Sequence, residues 1–69
     1  GLVPGLAFDG KGNRLGRGRG FVDALLRRAR GVKIALAHDF QLLDEVPAEA
    51  YDVRVDFIVT ESRVVNCKG

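Results

Sequence analysis

The spacing of hydrophobic and polar residues changes several times along this chain. Residues 32–37 form a short, almost wholly apolar run, which is typical of a strand buried in a parallel sheet. Residues 53–59 alternate between apolar and polar side chains, which indicates another strand, and residues 63–65 extend it or return beside it. Residues 2–8 predict a strand or its end, broken in the middle by a proline and a glycine.

Between these runs the pattern shifts to helical spacing. Residues 21–29 place a broad apolar stripe on one face with arginines opposite, which predicts a short helix that Gly31 ends. Residues 9–13 contain three glycine or asparagine positions that tolerate positive φ, so they predict a turn. A polar loop with Pro47 and Glu49 precedes the last strands. The order strand, helix, strand, strand predicts an α/β protein with at least one right-handed parallel crossover.

Size and composition narrow the class of protein and the cellular compartment. The chain has 69 residues, 46% of them hydrophobic and 29% charged, which favours one small globular domain over a disordered segment. Its single cysteine, Cys67, excludes an internal disulfide and suits a reducing compartment, the cytoplasm or the mitochondrial matrix. No apolar run approaches the ~20 residues of a membrane span. Because the chain begins with glycine followed at once by apolar residues, we interpret residues 1–69 as a single incomplete domain.

A loop rich in glycine and arginine is the strongest candidate for function. Gly16, Gly18 and Gly20 alternate with Arg17 and Arg19 directly before the predicted helix. Glycines let backbone amides approach an anion, the helix start favours negative charge, and arginines add charge-assisted bonds. We therefore predict a phosphate-holding loop over residues 15–23. Its spacing matches neither the dinucleotide-binding nor the Walker fingerprint, so a flexible connector or an RNA-contacting segment remains open.

Several ordered blocks lead to a family resemblance. They are Val3-Pro4-Gly5-Leu6-Ala7-Phe8-Asp9, Gly12-Asn13-Arg14 with the loop to Asp23, Ala35-Leu36-Ala37, Asp39-Phe40-Gln41, Asp44-Glu45-Val46-Pro47, Tyr51-Asp52-Val53 and Val55-Asp56-Phe57-Ile58-Val59-Thr60-Glu61. In this order and spacing the chain resembles the C-terminal region of the 5-formyltetrahydrofolate cyclo-ligase (methenyltetrahydrofolate synthetase) family. The resemblance implies an α/β fold, the C-terminal portion of a three-layer α/β/α cyclo-ligase-like (NagB/RpiA/CoA-transferase-like) domain.

The resemblance also implies an activity. Enzymes of this family use ATP and Mg²⁺ to close 5-formyltetrahydrofolate into 5,10-methenyltetrahydrofolate, with ATP phosphorylating the formyl oxygen. Carried over residue by residue, the resemblance implies that Arg17 and Arg19 are catalytic, since they would neutralise charge on the transferring group, and that Asp23 and Asp52 would bind magnesium. Without the resemblance, each acid has a simpler interpretation. Asp23 could complement the helix dipole in the first helical turn, and Asp52 could be a turn residue before the strand. The residues implied to contact ATP are Arg14, Leu15, Gly16, Arg17, Gly18, Arg19, Gly20, Phe21 and Val22.

Some positions depart from the family pattern. Phe21 and Val22 stand where the family usually has two tyrosines, and Tyr51 where it often has histidine. Phe21, the pair His38-Asp39 and Arg63-Val64 resemble the divergent branch called methenyltetrahydrofolate synthetase domain-containing proteins. The N-terminal portion of the family domain is missing from these residues, so we expect this piece alone to be inactive and to need that portion, or another subunit, to complete it.

Two other interpretations stay open. The chain could be a non-catalytic scaffold in a larger assembly such as a mitochondrial ribosome, with Arg17 and Arg19 contacting RNA or protein, or a nucleotide-binding domain without folate chemistry. Outside the loop, we interpret His38 as structural or incidental and Cys67 as an ordinary thiol. Gln41 either hydrogen-bonds a ligand or holds its own loop.

Overall fold

The computed structural model describes residues 2–16, 30–47 and 53–68, and the strands lie in two sheets. The strands are β1 (Leu2–Val3), β2 (Ala7–Asp9), β3 (Arg14–Leu15), β4 (Ile34–Leu36), β5 (Leu42–Leu43), β6 (Phe57–Val59) and β7 (Val64–Asn66). The larger sheet has the order β1-β4-β6-β7 and the smaller has the order β3-β2-β5. A 3₁₀ helix, Asp39–Gln41, separates β4 from β5.

Parallel pairing dominates the larger sheet. Strand β4 pairs in parallel with both β1 and β6, with Ala35 beside Val3 on one side and Ile58 on the other. The apolar run at residues 32–37 therefore contains a central parallel strand, as its composition predicted. Strand β7 returns antiparallel to β6, which confirms the expected continuation near residues 63–65. These mixed sheets are consistent with the α/β class.

The segment over residues 2–8 divides between the two sheets. Pro4 follows β1 directly, and since proline has no N–H to donate, the strand ends there. After Gly5 and Leu6 the chain enters β2 of the smaller sheet. Strand β2 forms a hairpin with β3 and pairs in parallel with β5, and neither β3 nor β5 was expected from the sequence.

The alternating segment over residues 53–59 is a strand only in its second half. Val55 donates its N–H to the Gly12 carbonyl at 2.9 Å, so this part of the chain bonds to the β2–β3 turn and not to β4. At Asp56 the chain crosses to β4, where its N–H donates to the Lys33 carbonyl at 2.8 Å. The strand predicted over residues 53–59 thus begins too early, since β6 starts only at Phe57. Val55 is nevertheless buried, as the alternation requires.

A single apolar cluster holds the described strands together. It consists of buried side chains from both sheets and from the crossing segment: Val3, Phe8, Ala35, Val55 and Ile58. Phe8 and Ile58 are wholly inaccessible, and each such side chain contributes roughly 1.5–3 kcal/mol through burial. The predicted helix over residues 21–29 lies outside the described residues. Gly31, expected to end that helix, has the left-handed φ of 88° that favours glycine.

Candidate functional site

The hairpin between β2 and β3 is organised around a buried carboxylate. Asp9 is 1% exposed and accepts hydrogen bonds from the backbone amides of Lys11, Asn13 and Val46, each at 3.0 Å. The Asn13 side-chain amide adds a fourth bond at 2.9 Å. Burial alone raises the pKa of Asp9, but the bonds from the Asn13 side chain and from the three amides outweigh it and leave the pKa below its ordinary value. Asp9 thereby fixes the turn that leads into the predicted phosphate loop.

Arg14 directly precedes that loop and is the first of the residues predicted to contact ATP, and it is buried. It lies on β3 with only 8% of its surface exposed, and its Nε has no hydrogen-bond acceptor among the described residues. Buried polar groups are nearly always paired, so an unpaired guanidinium nitrogen points to a missing acceptor. Since guanidinium is permanently charged and its donor fork suits phosphate or carboxylate, an anion fits this position.

Glycines make room for this guanidinium. A Cβ at Gly16 would lie 2.7 Å from Cζ of Arg14, and a Cβ at Gly5 would lie 3.0 Å from Cγ of the same side chain. Both glycines therefore permit close approach of backbone to Arg14. This gives Gly16 a packing role in addition to the role in anion approach that the sequence predicted.

The structure describes three of the residues predicted to contact ATP: Arg14, Leu15 and Gly16. The other nucleotide contacts, both catalytic arginines and the two predicted magnesium ligands lie outside the described residues. They are Arg17, Gly18, Arg19, Gly20, Phe21, Val22, Asp23 and Asp52. Within residues 2–16, 30–47 and 53–68, no group of three or more His, Cys, Asp or Glu side chains is placed to hold a metal ion.

A second polar cluster lies where the parallel strands of the larger sheet end. His38 and Asp39 follow β4, and Thr60, Glu61 and Ser62 follow β6. In open parallel sheets, ligands bind outside the carboxyl ends of the strands, so this edge is a candidate site on geometric grounds. We call these five residues the carboxyl-edge cluster.

Hydroxyl groups and an arginine hold Asp39 ionised. Its Oδ1 accepts hydrogen bonds from the Thr60 hydroxyl at 2.6 Å and from the Ser62 hydroxyl at 2.8 Å. The Thr60 bond has the largest effect in lowering the pKa of Asp39, followed by the Ser62 bond, and the charges of Arg63 and His38 add to it. Asp39 is thus an ionised acceptor whose orientation is set by the loop after β6.

Glu61 binds the same loop from the other side. Its carboxylate accepts from the Asp39 backbone amide at 2.5 Å and lies 3.2 Å from His38 Nδ1. Its own backbone amide, then His38, then the Asp39 amide lower the pKa of Glu61. His38 also stacks on Phe40, with ring centroids 5.4 Å apart and planes 7° from parallel. His38 is therefore oriented by two neighbours while remaining accessible to solvent.

Gln41 connects this cluster to the first strand. Its Oε1 accepts from the His38 backbone amide at 2.9 Å, and its Nε2 donates to the carbonyls of Gly5 and Leu6. Of the two roles left open from the sequence, the structure shows the structural one. Gln41 holds its own loop and, in addition, the segment after β1.

Sequence reasoning gave little weight to the carboxyl-edge cluster. His38 was set aside, while Asp39 and Glu61 appeared only within blocks of family resemblance. The signal that would have found them is positional, because polar residues directly following two apolar parallel strands meet at one edge of the sheet. Cys67 agrees with its expected role, since burial first, and then the charges of Asp9 and Asp56, raise the pKa of its thiol.

Comparison with known proteins shows which family this chain belongs to. The family described as "5-formyltetrahydrofolate cyclo-ligase family" matches residues 2–61. The 5-formyltetrahydrofolate cyclo-ligase of Mycolicibacterium smegmatis is 48% identical over 64 residues, which cover 90% of this chain and 33% of that protein. A methenyltetrahydrofolate synthase domain-containing protein of Danio rerio is 37% identical over 79 residues, covering 97% of this chain and 21% of that protein.

A solved structure agrees with these relatives. The NMR structure of Aquifex aeolicus 5,10-methenyltetrahydrofolate synthetase superposes with a TM-score of 0.86 at 44% identity. The match covers 99% of this chain and 35% of that one, and this chain likewise covers 33% of the Mycolicibacterium smegmatis protein, so it spans about a third of the length of these relatives. No helix in the part of the chain that the structure describes has the length and apolar character needed to cross a membrane. By sequence and by fold, this chain belongs to the 5-formyltetrahydrofolate cyclo-ligase family.

Proposed function

We propose that this chain is part of an ATP- and Mg²⁺-dependent enzyme that closes 5-formyltetrahydrofolate into 5,10-methenyltetrahydrofolate. The observation that carries the proposal is the buried Arg14 guanidinium, whose Nε has no acceptor among the described residues. A phosphate group of a nucleotide would supply that acceptor and would offset the charge of the guanidinium. Membership in the family supports the folate substrate.

The proposed nucleotide site runs from Arg14 through Val22. Arg14 binds a phosphate oxygen and Gly16 lets the backbone approach it, while Arg17 and Arg19 stabilise charge on the group being transferred. Asp23 and Asp52 are proposed to hold magnesium, which prefers a few hard carboxylates together with phosphate oxygens and water. When bound, ATP supplies the phosphoryl group that makes the formyl oxygen a leaving group.

The residues of this chain contribute by positioning the bound nucleotide and by neutralising its charge. Asp9 holds the β2–β3 turn through three hydrogen bonds and ties it to Val46 through a fourth, so Arg14 follows a turn that is fixed in place. Burial of Arg14 excludes water from around its charge and strengthens any bond to an anion. Such preorganised charge is the main device by which enzymes assist phosphoryl transfer.

We further propose that residues 1–69 are one incomplete domain, the C-terminal portion of a three-layer α/β/α fold. Large apolar side chains on described strands are exposed, including Leu2 at 69% and Leu36 at 58%. Large apolar side chains exposed on strands are often covered by another part of the protein or by a partner. The N-terminal portion of the family domain, or another subunit, is the proposed cover, and this piece alone is proposed to be inactive. The proposed location is the cytoplasm or the mitochondrial matrix, where the free thiol of Cys67 stays reduced.

Turnover by the full-length protein tests the proposal. We expect it to bind MgATP and to convert 5-formyltetrahydrofolate, with an increase in absorbance as the methenyl product forms. Arg14→Lys should weaken ATP binding roughly tenfold or more, because lysine loses the fork of donors. Arg30→Lys, at an exposed arginine, is the matched control and should bind as the wild type does.

Different outcomes separate the competing functions. ATP binding without turnover would indicate a nucleotide-binding domain that lacks folate chemistry. Binding of RNA in place of ATP, reduced by substitutions at Arg17 and Arg19, would indicate a non-catalytic scaffold. Either result would contradict the cyclo-ligase proposal.

A further inference from the structure

The side chain of Gln41 uses all of its hydrogen-bonding ends between two connecting segments. Its Oε1 accepts from the His38 amide at 2.9 Å, while its Nε2 donates to Gly5 O at 3.2 Å and Leu6 O at 3.1 Å. An N–H facing one end and two carbonyls facing the other fix which end of the amide is oxygen. Each of these segments leads from the larger sheet to the smaller, one from β1 to β2 and one from β4 to β5.

The segment that Gln41 holds is the one against which the loop arginine packs. A Cβ on Gly5 would approach Arg14 Cγ to 3.0 Å, and Leu6 donates its N–H to the Leu15 carbonyl at 2.7 Å. The two residues bound by Gln41 therefore contact Arg14 and Leu15, the first two residues predicted to contact ATP. Any displacement of this segment moves Arg14 as well, because the interior is close-packed.

On its other side, the turn that contains Gln41 is fixed to the end of β6. The Asp39 amide donates to Glu61 at 2.5 Å, and the Thr60 hydroxyl donates to Asp39 at 2.6 Å. A continuous series of hydrogen bonds thus runs from the end of β6, through the turn after β4 and the segment after β1, to β3. Gln41 makes the central step of that series.

We propose that Gln41 is a positioning residue for the anion-binding Arg14. Its amide sets the place of the Gly5–Leu6 segment, and this segment sets the place of the guanidinium. No hydrogen bond from Nε to a described residue fixes the side chain of Arg14, so its packing against this segment contributes to its position. The inference rests on the proposed function only for the ligand that Arg14 binds.

Two substitutions in the full-length protein separate the hydrogen bond that Gln41 accepts from those that it donates. Gln41→Met keeps the shape and removes all three hydrogen bonds, whereas Gln41→Glu keeps an acceptor for His38 and removes the donors to Gly5 and Leu6. The matched control is Asn66→Leu. It also removes a side-chain bond to a backbone amide, that of Lys68, but at the opposite end of β6, where Asn66 pairs with Phe57.

Two measurements report on Arg14. The first is the hydrogen-exchange rate of its Nε–H, followed by NMR in the ligand-free protein. The second is the affinity for inorganic tripolyphosphate and for MgATP, measured by calorimetry. We expect both Gln41 variants to exchange this proton about tenfold faster and to bind both ligands about tenfold more weakly, since small misplacements at a site have effects of this size or larger. Asn66→Leu should leave both quantities unchanged.

The outcomes decide the inference separately from the proposed function. If both Gln41 variants match the control, or if both fail to fold, Gln41 does not position Arg14 and the proposal is overturned. If only Gln41→Met fails to fold, the exchange rate and the affinities of Gln41→Glu decide whether Gln41 positions Arg14. If the wild type binds no MgATP, the proposed function fails, while the exchange rate of the Arg14 proton still tests the role of Gln41.

Discussion

Gly16 packs against the guanidinium of Arg14 so closely that a Cβ at this glycine would lie 2.7 Å from Cζ. Gly16→Ala must therefore displace the guanidinium, the flexible end of the side chain, and leave the backbone of the hairpin in place. We expect affinity for MgATP to fall about tenfold or more. Calorimetry on the full-length protein measures this.

Gly10→Ala is the control for that substitution, because a Cβ at Gly10 meets no atom within 4 Å. Its affinity for MgATP should equal that of the wild type. Equal affinity in both variants would show that the guanidinium of Arg14 does not take part in binding.

The second prediction concerns the buried carboxylate of Asp9. Asp9→Ala leaves the amides of Lys11, Asn13 and Val46 without their acceptor, which should lower the free energy of unfolding by about 2–4 kcal/mol. Asp44→Ala, at an exposed aspartate, should change it by less than about 0.5 kcal/mol. Urea denaturation of both variants measures the difference.

The same carboxylate makes stability depend on pH. The pKa of Asp9 lies below its ordinary value of 3.8 in the folded state, so on acidification the unfolded chain binds this proton first. Its contribution is fully present above about pH 4 and is lost as pH falls through the folded-state pKa. Asp9→Asn should flatten the fall of stability over this range, and an unchanged slope would contradict the assignment.

A third prediction concerns the hydroxyl that holds Asp39. Thr60→Val removes the 2.6 Å bond, which lowers the pKa of Asp39 more than any other neighbour does, so this pKa should rise towards its ordinary value. Thr60→Ser keeps the hydroxyl and should leave the pKa low. NMR titration of the Asp39 carboxyl carbon tests both variants, and an equal pKa in the two would refute the role of the hydroxyl.

A fourth prediction separates backbone strain from steric overlap. Gly12 and Gly31 both have positive φ, at 86° and 88°, but a Cβ at Gly12 would overlap the Val55 carbonyl whereas one at Gly31 meets nothing within 4 Å. Gly31→Ala should cost about 1 kcal/mol, the usual cost of this backbone region for alanine. Gly12→Ala should cost at least about 1 kcal/mol more, since backbone atoms must move. Thermal denaturation measures both, and equal losses would contradict the overlap.

Apolar runs along the chain predicted the larger sheet well. The run that contains Ala35 is nearly all apolar because β4 is central and parallel, and the break at Pro4 separates two strands as its missing N–H requires. The smaller sheet was not predicted. Its strands β3 and β5 are two residues each, too short to show a period, and β3 carries a charged residue whose burial no local pattern indicates.

The sequence indicates a candidate site only where its chemistry is local. Alternating glycine and arginine predict an anion site, which stays a prediction because Arg17 to Gly20 lie outside the described residues; Arg14, which precedes them, is buried, and its Nε has no acceptor among the described residues. The bonds of Gln41 to Gly5 and Leu6, and those of Glu61 to the turn after β4, were not predictable. Their partners lie 35 or 36 and 22 or 23 residues away and meet only through the sheet order. Asp9 looked like an ordinary turn residue because nothing local shows that Val46 reaches it.

The central claim, that Arg14 binds a nucleotide phosphate, is tested most directly by NMR of its Nε–H group in the full-length protein. Adding MgATP should shift this resonance saturably and slow its exchange with water, since Nε, which has no acceptor among the described residues, gains one. Inorganic tripolyphosphate should produce the same shift. An Arg14 resonance that stays unchanged while MgATP binds, or the absence of binding altogether, would contradict the account.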